Sequence, residues 1–371
     1  MLTDPKLPAL DGVRALAISF VLIGHCMMAN SLLRNYGTLV GEAGVSVFFV
    51  LSGFLVTRVM LLDEARTGRL RLGRFYLRRA LRIFPAFYTL LALLAISVTV
   101  NFLPNPGNQT WWASGLYFRN FVGAGWDTGH LWSLSLEEQF YLLWPIAFFL
   151  LRTRQNRLLL IGVAVVASIV WRAYWLAAVP SPPSAAAIQA IHCWPQMRLD
   201  TFLIGAAFAI GDWNWPRTLL PRFILPFLGI WHENAPFHGW TLPVETVVTS
   251  FAIGALILWL VKTPDLRPAH HLSRPGVVYV GVLSYSIYLW QQIFLGPHLH
   301  WWSPGAIAGC ALASYYLVER PALRWKERLD QRWPQSLRPR QIGLFQDDHR
   351  PAERREPAGK GYCHDRTRGQ A

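Results

Sequence analysis

The sequence predicts an all-α, polytopic integral membrane protein with about ten transmembrane helices and no soluble catalytic domain. Hydrophobic residues make up 53% of the 371 residues and charged residues only 15%, whereas soluble domains carry about 25% charged residues. The apolar residues also fall in runs of the length, roughly 20 residues, that a helix needs to cross a bilayer. Lipid is therefore the expected solvent for most of the chain.

The apolar runs define ten predicted spans. Two of them, at 197–212 and 218–232, are short for a full crossing. In chain order the spans are 8–29, 40–62, 84–103, 130–151, 158–179, 197–212, 218–232, 242–262, 277–297 and 303–319. Together they form a predicted transmembrane domain at 1–330.

Arginine and lysine alternate between the connections, and this pattern predicts the topology. The connection at 63–83 holds seven arginines, whereas the longer one at 104–129 holds only Arg119. Basic residues recur in every second connection, at 152–157, 213–222, 263–276 and from Arg320 onward, but not in those at 180–196, 233–241 and 298–302. Because cytoplasmic loops carry the excess of Lys and Arg, we expect a protein of the inner membrane with both termini in the cytoplasm.

The formal net charge of +14 is explained by this cytoplasmic anchoring. Anionic membrane lipid is the partner that such a charge favours, and we expect no nucleic-acid partner.

Residues 331–371 are polar, rich in Arg, Pro and Gly, and without apolar periodicity. They predict a disordered, basic cytoplasmic tail.

The N-terminal residues MLTDPKLPAL lack the basic stretch, short apolar core and small-residue cleavage site of a signal peptide. We therefore expect the first span to be retained.

The cysteines at positions 26, 193, 310 and 363 are far apart, with no pair at metal-ligand or redox-motif spacing. They are interpreted as packing residues, and no metal site is expected.

Ionisable residues inside the predicted spans mark the candidate site, because a charge near the bilayer centre costs at least about 2.5–3.5 kcal/mol. In the first span, Arg14 and His25 are eleven residues apart, which places them on one helical face. Asp11 lies one turn before Arg14 and is expected to neutralise it. His25 can act as a general base near neutral pH. The structural alternatives are an Arg14 that snorkels to the interface and a His25 that only packs.

The fourth span contains two adjacent carboxylates, Glu137 and Glu138. Adjacent residues on a helix point about 100° apart, so we expect only one of the two to face the interior. Glu137 lies about 10 Å below the outer surface, which is the depth expected for His25. Ser52, in the second span, is expected to serve helix packing rather than nucleophilic catalysis.

Two further groups of charges are weaker evidence for a site. Arg198 and Asp200 begin the span at 197–212, and Glu319 and Arg320 end the last span. We expect them to form ion pairs with a structural role, most clearly in the case of Glu319 and Arg320.

These residues fall within sequence blocks that occur in a fixed order. The first block, LDGVR, ends at Arg14, and His25 follows after ten further residues. The others are GVSVFFVLSGFLVTR, FYLRRALRIFPAFY, LWSLSLEEQFYLLWP, RLDTFLIG, SYSIYLWQQ and VERPALRW. Over residues 7–326, this series resembles the acyltransferase family 3 of membrane proteins.

The resemblance implies the transfer of acyl groups, commonly acetyl, from cytoplasmic acyl-CoA to hydroxyl groups of lipopolysaccharide, exopolysaccharide or other glycans. It implies that Arg14 and His25 form the signature pair, that Glu137 is the functional carboxylate, and that Arg79 and Arg82 form the basic motif before the third span. Acyl-CoA is then a co-substrate, with no permanently bound cofactor. A glycan or lipid-linked saccharide is the acceptor.

Two positions depart from the family pattern. Ser46 stands where many relatives carry an acidic residue, and Gln291 stands where a histidine is common, which leaves the choice of acceptor open. Some relatives also carry an extra span and an extracytoplasmic hydrolase-like domain. We expect this chain to be a membrane-only member.

Acyl transfer to an alcohol needs a base, donors to the oxyanion and a route for CoA. We expect His25 and Glu137 to supply the base and its orienting carboxylate, and Arg14, Arg79 and Arg82 to bind CoA phosphates. Direct transfer and an acyl-His25 intermediate both stay open as mechanisms.

Two other classes of protein also stay open. One is a glycan or solute transporter that uses the buried Arg, His and Glu as a relay, and the other is a non-catalytic membrane scaffold.

Cysteine labelling tests the predicted topology. An Arg71→Cys variant should resist an impermeant thiol reagent in intact cells and react after permeabilisation, because the connection at 63–83 is predicted to be cytoplasmic. A Gln109→Cys variant, on the opposite side, should react in intact cells. Labelling at position 71 in intact cells would show that the topology is wrong.

Overall fold

The structure, a computed structural model, describes residues 7–123, 125–179, 193–211, 213, 242–295 and 299–332. All regular elements in these ranges are helices, which agrees with the all-α prediction. The helices are α1 (Pro8–Met28), α2 (Arg34–Thr67), α3 (Leu72–Thr99), α4 (Asn108–Gly115), α5 (Leu131–Leu150), α6 (Arg154–Ala178), α7 (Pro195–Ile210), α8 (Leu242–Lys262), α9 (Arg267–Leu272), α10 (Pro275–Phe294), α11 (Ser303–Ser314) and α12 (Arg320–Arg332).

Nine of the ten predicted spans correspond to these helices, whereas the span at 218–232 lies outside the described residues. Six described helices, α1, α2, α3, α6, α8 and α10, are long and apolar enough to cross a membrane. Helix α5 has 20 residues, but the run Glu137-Glu138-Gln139 makes it more polar, and α7 has only 16 residues. The chain is a membrane protein, and the total of ten spans stays a prediction.

The relative directions of neighbouring helices match the alternation of charge. Helices α1 and α10 run the same way, since Asp11 packs against Gly281 near their starts and His25 bonds Gln291 near their ends. Helix α2 runs opposite to α1, because its early residue Gly41 lies beside Gly24 at the end of α1. The alternating arginines predict the same directions for these three helices.

The connection predicted at 63–83 is mostly helical. Helix α2 extends to Thr67 and α3 begins at Leu72, so that only residues 68–71 link them. Gly68 ends α2 with φ 76°, a left-handed conformation that glycine adopts without strain, and its N–H donates to the Glu64 carbonyl at 2.8 Å. Helix α2 has 34 residues and is about 51 Å long, well beyond the roughly 30 Å hydrocarbon core. Five of the seven arginines of this region therefore lie on helices, and the other two, Arg69 and Arg71, lie in the link.

The predicted outer connection at 104–129 is also partly ordered, by α4 and by a 3-10 turn at Arg119–Phe121. Arg119 is only 2% exposed. Its guanidinium donates to Thr128 Oγ1 and to the Gly125 carbonyl, both at 3.2 Å, and to the Val122 carbonyl. The single arginine of this connection therefore holds the chain in a folded loop.

Two glycines set the contact between α2 and α7. A Cβ atom on Gly53 would lie 1.9 Å from the Phe202 carbonyl oxygen, and one on Gly205 would lie 2.0 Å from the Val50 carbonyl oxygen. Only residues without a side chain permit backbones to approach this closely. The contact fixes the part of α2 that carries Ser52.

A Gly53→Val variant should be less stable than the wild type. Its added side chain would force α2 and α7 apart, and such overpacking costs about 1–3 kcal/mol or more. The midpoint of thermal unfolding in detergent would measure the loss. Gly162→Val in α6 is the matched control, because an added Cβ there meets nothing within 4 Å. Equal loss in both variants would contradict the close-approach argument.

Candidate active site

A cavity of about 1100 Å³, here called the basic cavity, lies between α1, α2, α3, α5 and α10. Its volume is slightly above the roughly 300–1,000 Å³ typical of ligand pockets. Nine basic side chains line it, against four carboxylates. They are Arg14, Arg58, Arg66, Arg71, Arg74, Arg78, Arg79, Arg82 and Lys326, with Asp11, Asp63, Glu137 and Glu138. This excess of positive charge suits an anionic ligand.

The three arginines singled out in the sequence meet in the basic cavity. Arg14 pairs with Asp11, as predicted, with 2.6 Å between Nη1 and Oδ1. The Arg79 guanidinium lies over the Tyr141 ring, 3.5 Å from its centroid. The charges of Arg14 and Arg79 both act on Arg82. Three like charges thus share one space inside the helix bundle, where phosphate groups would neutralise them.

Glu137 also lines this cavity. It accepts hydrogen bonds from Ser52 Oγ, at 2.5 Å, and from the Tyr141 hydroxyl. Ser52 therefore does more than pack helices, because it is a polar partner of the predicted functional carboxylate. Through Tyr141, Glu137 is also connected to Arg79.

The expectation that only one of the two adjacent carboxylates faces the interior is wrong. Glu138 lines the basic cavity together with Glu137. The two side chains diverge by about 100°, but the cavity is wide enough to contact both sides of α5.

His25 lies near the other end of the bundle, beside Gln291. Its Nδ1 atom is 2.6 Å from Gln291 Oε1, and its ring meets the Trp126 ring edge to face with 5.7 Å between centroids. A carbonyl oxygen only accepts hydrogen bonds, so this contact places the proton on Nδ1 and leaves Nε2 as the basic nitrogen.

The predicted pairing of His25 with Glu137 is not formed. His25 bonds Gln291, whereas Glu137 bonds Ser52 and Tyr141. The contacts of His25 are with Trp126, in the loop before α5, and with Gln291, at the end of α10, whereas Glu137 lies in the second turn of α5. The orienting partner of His25 is an amide rather than a carboxylate.

Gln291 is fully buried, at 0% exposure, and its Nε2 atom has no hydrogen-bond partner. Leaving a buried amide N–H unpaired costs about 1–3 kcal/mol. Such a group next to a histidine base is a candidate donor to a developing oxyanion. From the sequence, Gln291 was notable only as a departure from the family pattern.

The charges at the start of α7 are structural. Asp200, at 0% exposure, pairs with Arg172 at 2.7 Å. Arg172 also donates to two backbone carbonyls. Asp200 is therefore in an ion pair, but the expected pairing with Arg198 is not formed, because Asp200 pairs with Arg172 in α6. Arg198 donates to Ser46 Oγ at 3.3 Å, so the residue that departs from the family pattern is a neutral partner of a buried arginine.

The predicted ion pair between Glu319 and Arg320 is wrong. Glu319 is 6% exposed and accepts a hydrogen bond from Ser286, while Arg320 lies over the Tyr316 ring at 5.5 Å. A π-helical turn at Tyr315–Glu319 separates α11 from α12. Such a turn inserts an extra residue and rotates the next part of the helix about its axis. Glu319 is thereby directed into the bundle, where the charge of Arg82 acts on it.

Comparison with known proteins identifies the family. The sequence profile of an acyltransferase domain, Acyl_transf_3, matches residues 7–325. The chain belongs to the acyltransferase 3 family. This confirms the resemblance found in the sequence blocks, and membership of an acyltransferase family favours an enzyme over a transporter or a scaffold.

Two curated relatives illustrate the similarity. The peptidoglycan O-acetyltransferase OatA of Listeria monocytogenes is 29% identical over 327 aligned positions, which cover 76% of this chain and 48% of that protein. The O-acetyltransferase OatA of Staphylococcus aureus is 28% identical over 334 positions, which cover 78% of this chain and 51% of that protein. The chain thus spans about half the length of these relatives. No solved structure matches it significantly.

Proposed function

We propose that the chain transfers an acyl group, in the simplest case acetyl, from cytoplasmic acyl-CoA to a hydroxyl group of a cell-surface glycan at the inner membrane. The observation that carries the proposal is the basic cavity, in which nine cationic side chains lead to Glu137 within a chain of an acyltransferase family. The peptidoglycan named for one relative supports a polysaccharide of the cell envelope as the class of acceptor.

The basic cavity is the proposed site of the donor. CoA carries several phosphate groups, and the planar guanidinium group of arginine binds phosphate oxygens in pairs. Arg14, Arg79 and Arg82 lie together in the cavity, and in this proposal they bind those phosphates. Glu137 and its partners Ser52 and Tyr141 hold part of the cavity wall in shape. A direct catalytic role of Glu137 stays a prediction.

His25 is the proposed general base. Its Nε2 atom takes the proton of the acceptor hydroxyl, because Gln291 keeps Nδ1 protonated. The hydroxyl oxygen then bonds to the thioester carbon, the carbon–sulfur bond breaks, and the proton passes from His25 to the CoA thiolate. In this proposal, the unpaired amide N–H of Gln291 donates to the oxyanion formed between these two steps.

Substitution of the cavity arginines tests the donor site. Arg79→Gln and Arg82→Gln variants should each raise KM for acetyl-CoA by about tenfold, which is the effect of losing one charged hydrogen bond. Steady-state kinetics on the purified full chain in detergent would measure this. Arg152→Gln is the control, because Arg152 is exposed and lies outside the cavity lining. An unchanged KM for acetyl-CoA in folded protein would show that Arg79 and Arg82 serve only to orient the chain in the membrane.

Three variants test the base and its partner. His25→Ala should lower kcat by about 100-fold or more, and Gln291→Leu should lower it less. Gln291→Glu keeps an acceptor for Nδ1 but adds a negative charge, which stabilises protonated His25. The acid limb of the kcat/KM profile should therefore move to higher pH, an effect that loss of packing alone would not produce. Substantial turnover by His25→Ala would exclude His25 as the base.

A further inference from the structure

A second cavity, here called the tryptophan cavity, lies beside the proposed base. Its volume is about 280 Å³, and it is formed by the folded loop before α5, the first turn of α5, Cys193 and the end of α10. Its lining residues are Arg119, Asn120, Gly125, Trp126, Gly129, Trp132, Cys193 and Gln292. The topology predicted from the charges places this cavity on the outer side of the membrane.

The Trp126 ring connects the tryptophan cavity with His25. It lines the cavity and also meets the His25 ring at 5.7 Å between centroids. The indole N–H donates to the carbonyl oxygens of Gln292, at 2.8 Å, and Leu295, at 2.6 Å. These bonds fix the indole against α10. A ligand in this cavity therefore lies next to the base and its partner Gln291.

Asn120 provides this cavity with an unsatisfied donor. Its side chain is 4% exposed, and its Nδ2 atom has no hydrogen-bond partner. Its orientation is fixed by Gln139, whose Nε2 donates to the Tyr117 carbonyl at 2.9 Å and to Asn120 Oδ1 at 3.0 Å. Because the Tyr117 carbonyl only accepts, the Gln139 atom is a nitrogen and the Asn120 atom that faces it is an oxygen. The buried N–H group of Asn120 is left for a ligand.

The remaining lining identifies the chemical class of that ligand. Trp126 and Trp132 present flat aromatic surfaces, which suit the C–H face of a sugar ring. The described lining contains no carboxylate, and the Arg119 guanidinium is engaged by its own loop. An unsatisfied amide donor requires an oxygen acceptor, which a hydroxyl or amide carbonyl of a sugar supplies. At about 280 Å³, the cavity suits one sugar unit rather than a long chain.

The two cavities lie on opposite sides of an aromatic contact. Phe49 lines the basic cavity and Trp132 lines the tryptophan cavity, and their rings meet edge to face at 6.0 Å between centroids. The two cavities thus adjoin at this contact, and a donor in the basic cavity can meet an acceptor in the tryptophan cavity there. His25 lies beside the acceptor side of this boundary.

We propose that the tryptophan cavity binds one neutral sugar unit of the acceptor, with Asn120 donating to a ring substituent and Trp126 and Trp132 contacting the ring. The inference rests on the proposed acyltransferase function. It adds the site at which the attacking hydroxyl is held. The reaction is the one described above: the sugar oxygen bonds to the thioester carbon, the thiolate leaves, and His25 transfers the proton.

The test uses purified full-length protein with acetyl-CoA and three neutral trisaccharides: chitotriose, maltotriose and mannotriose. Release of CoA and acetylation of each sugar are measured separately. Asn120→Asp, which replaces the donor N–H by oxygen, and Trp132→Leu should each raise KM for the accepted sugar by about tenfold. KM for acetyl-CoA should be unchanged, because neither residue lines the basic cavity.

The matched control is Asn108→Asp, an exposed position in α4 outside the cavity lining. An unchanged sugar KM in both cavity variants would overturn the inference. So would a wild type that hydrolyses acetyl-CoA but neither acetylates nor is inhibited by any of the three sugars. A wild type that turns over no acetyl-CoA under any of these conditions would instead refute the proposed function. Retention of the acetyl-CoA KM in the variants shows that they are folded.

Discussion

The positive charge held inside the helix bundle is the constraint on which the rest of the structure depends. A guanidinium group does not lose its proton in a protein, and a charge surrounded by lipid is costly. Each arginine within the bundle therefore needs a carboxylate, a ring of carbonyls or a polar cavity. Arg172 has Asp200, Arg119 has the carbonyls of its own loop, and Arg79 and Arg82 share the basic cavity. The folded loop around Arg119 and the basic cavity thus both serve to stabilise positive charge inside the bundle.

Much of the fold can be predicted from one-dimensional patterns. Apolar runs locate the helices, alternation of arginine gives their relative directions, and helical periodicity places Asp11 next to Arg14. The predictions of helices, directions and the Asp11–Arg14 contact succeed because each depends on residues close in sequence or on the average composition of a segment. The family resemblance singled out Arg14, Arg79, Arg82 and Glu137; the structure brings them into one cavity, and their roles stay predictions.

The predictions that failed depend on contacts between distant segments. The partner of His25 is Gln291, 266 positions later, and no periodicity within either helix reveals it. The partner of Asp200 is Arg172, which lies 28 positions earlier in another helix, so that no local pattern connects the two residues. The loop at 104–129 was expected to be a simple connection, because the buried role of Arg119 depends on how the turns around it fold. The π-helical turn that redirects Glu319 has no clear pattern in the sequence.

The link between α2 and α3 also limits how the basic cavity can change shape. Thr67 and Leu72 are separated by five Cα–Cα steps, which span at most about 18 Å when fully extended. Arginines from both helices border the cavity near this link, and they are tethered by the covalent chain itself. Motions of the bundle cannot separate the end of α2 from the start of α3 by more than this distance. The α2–α3 hairpin is therefore a fixed edge of the basic cavity, and any opening that admits a bulky ligand must occur between other helices.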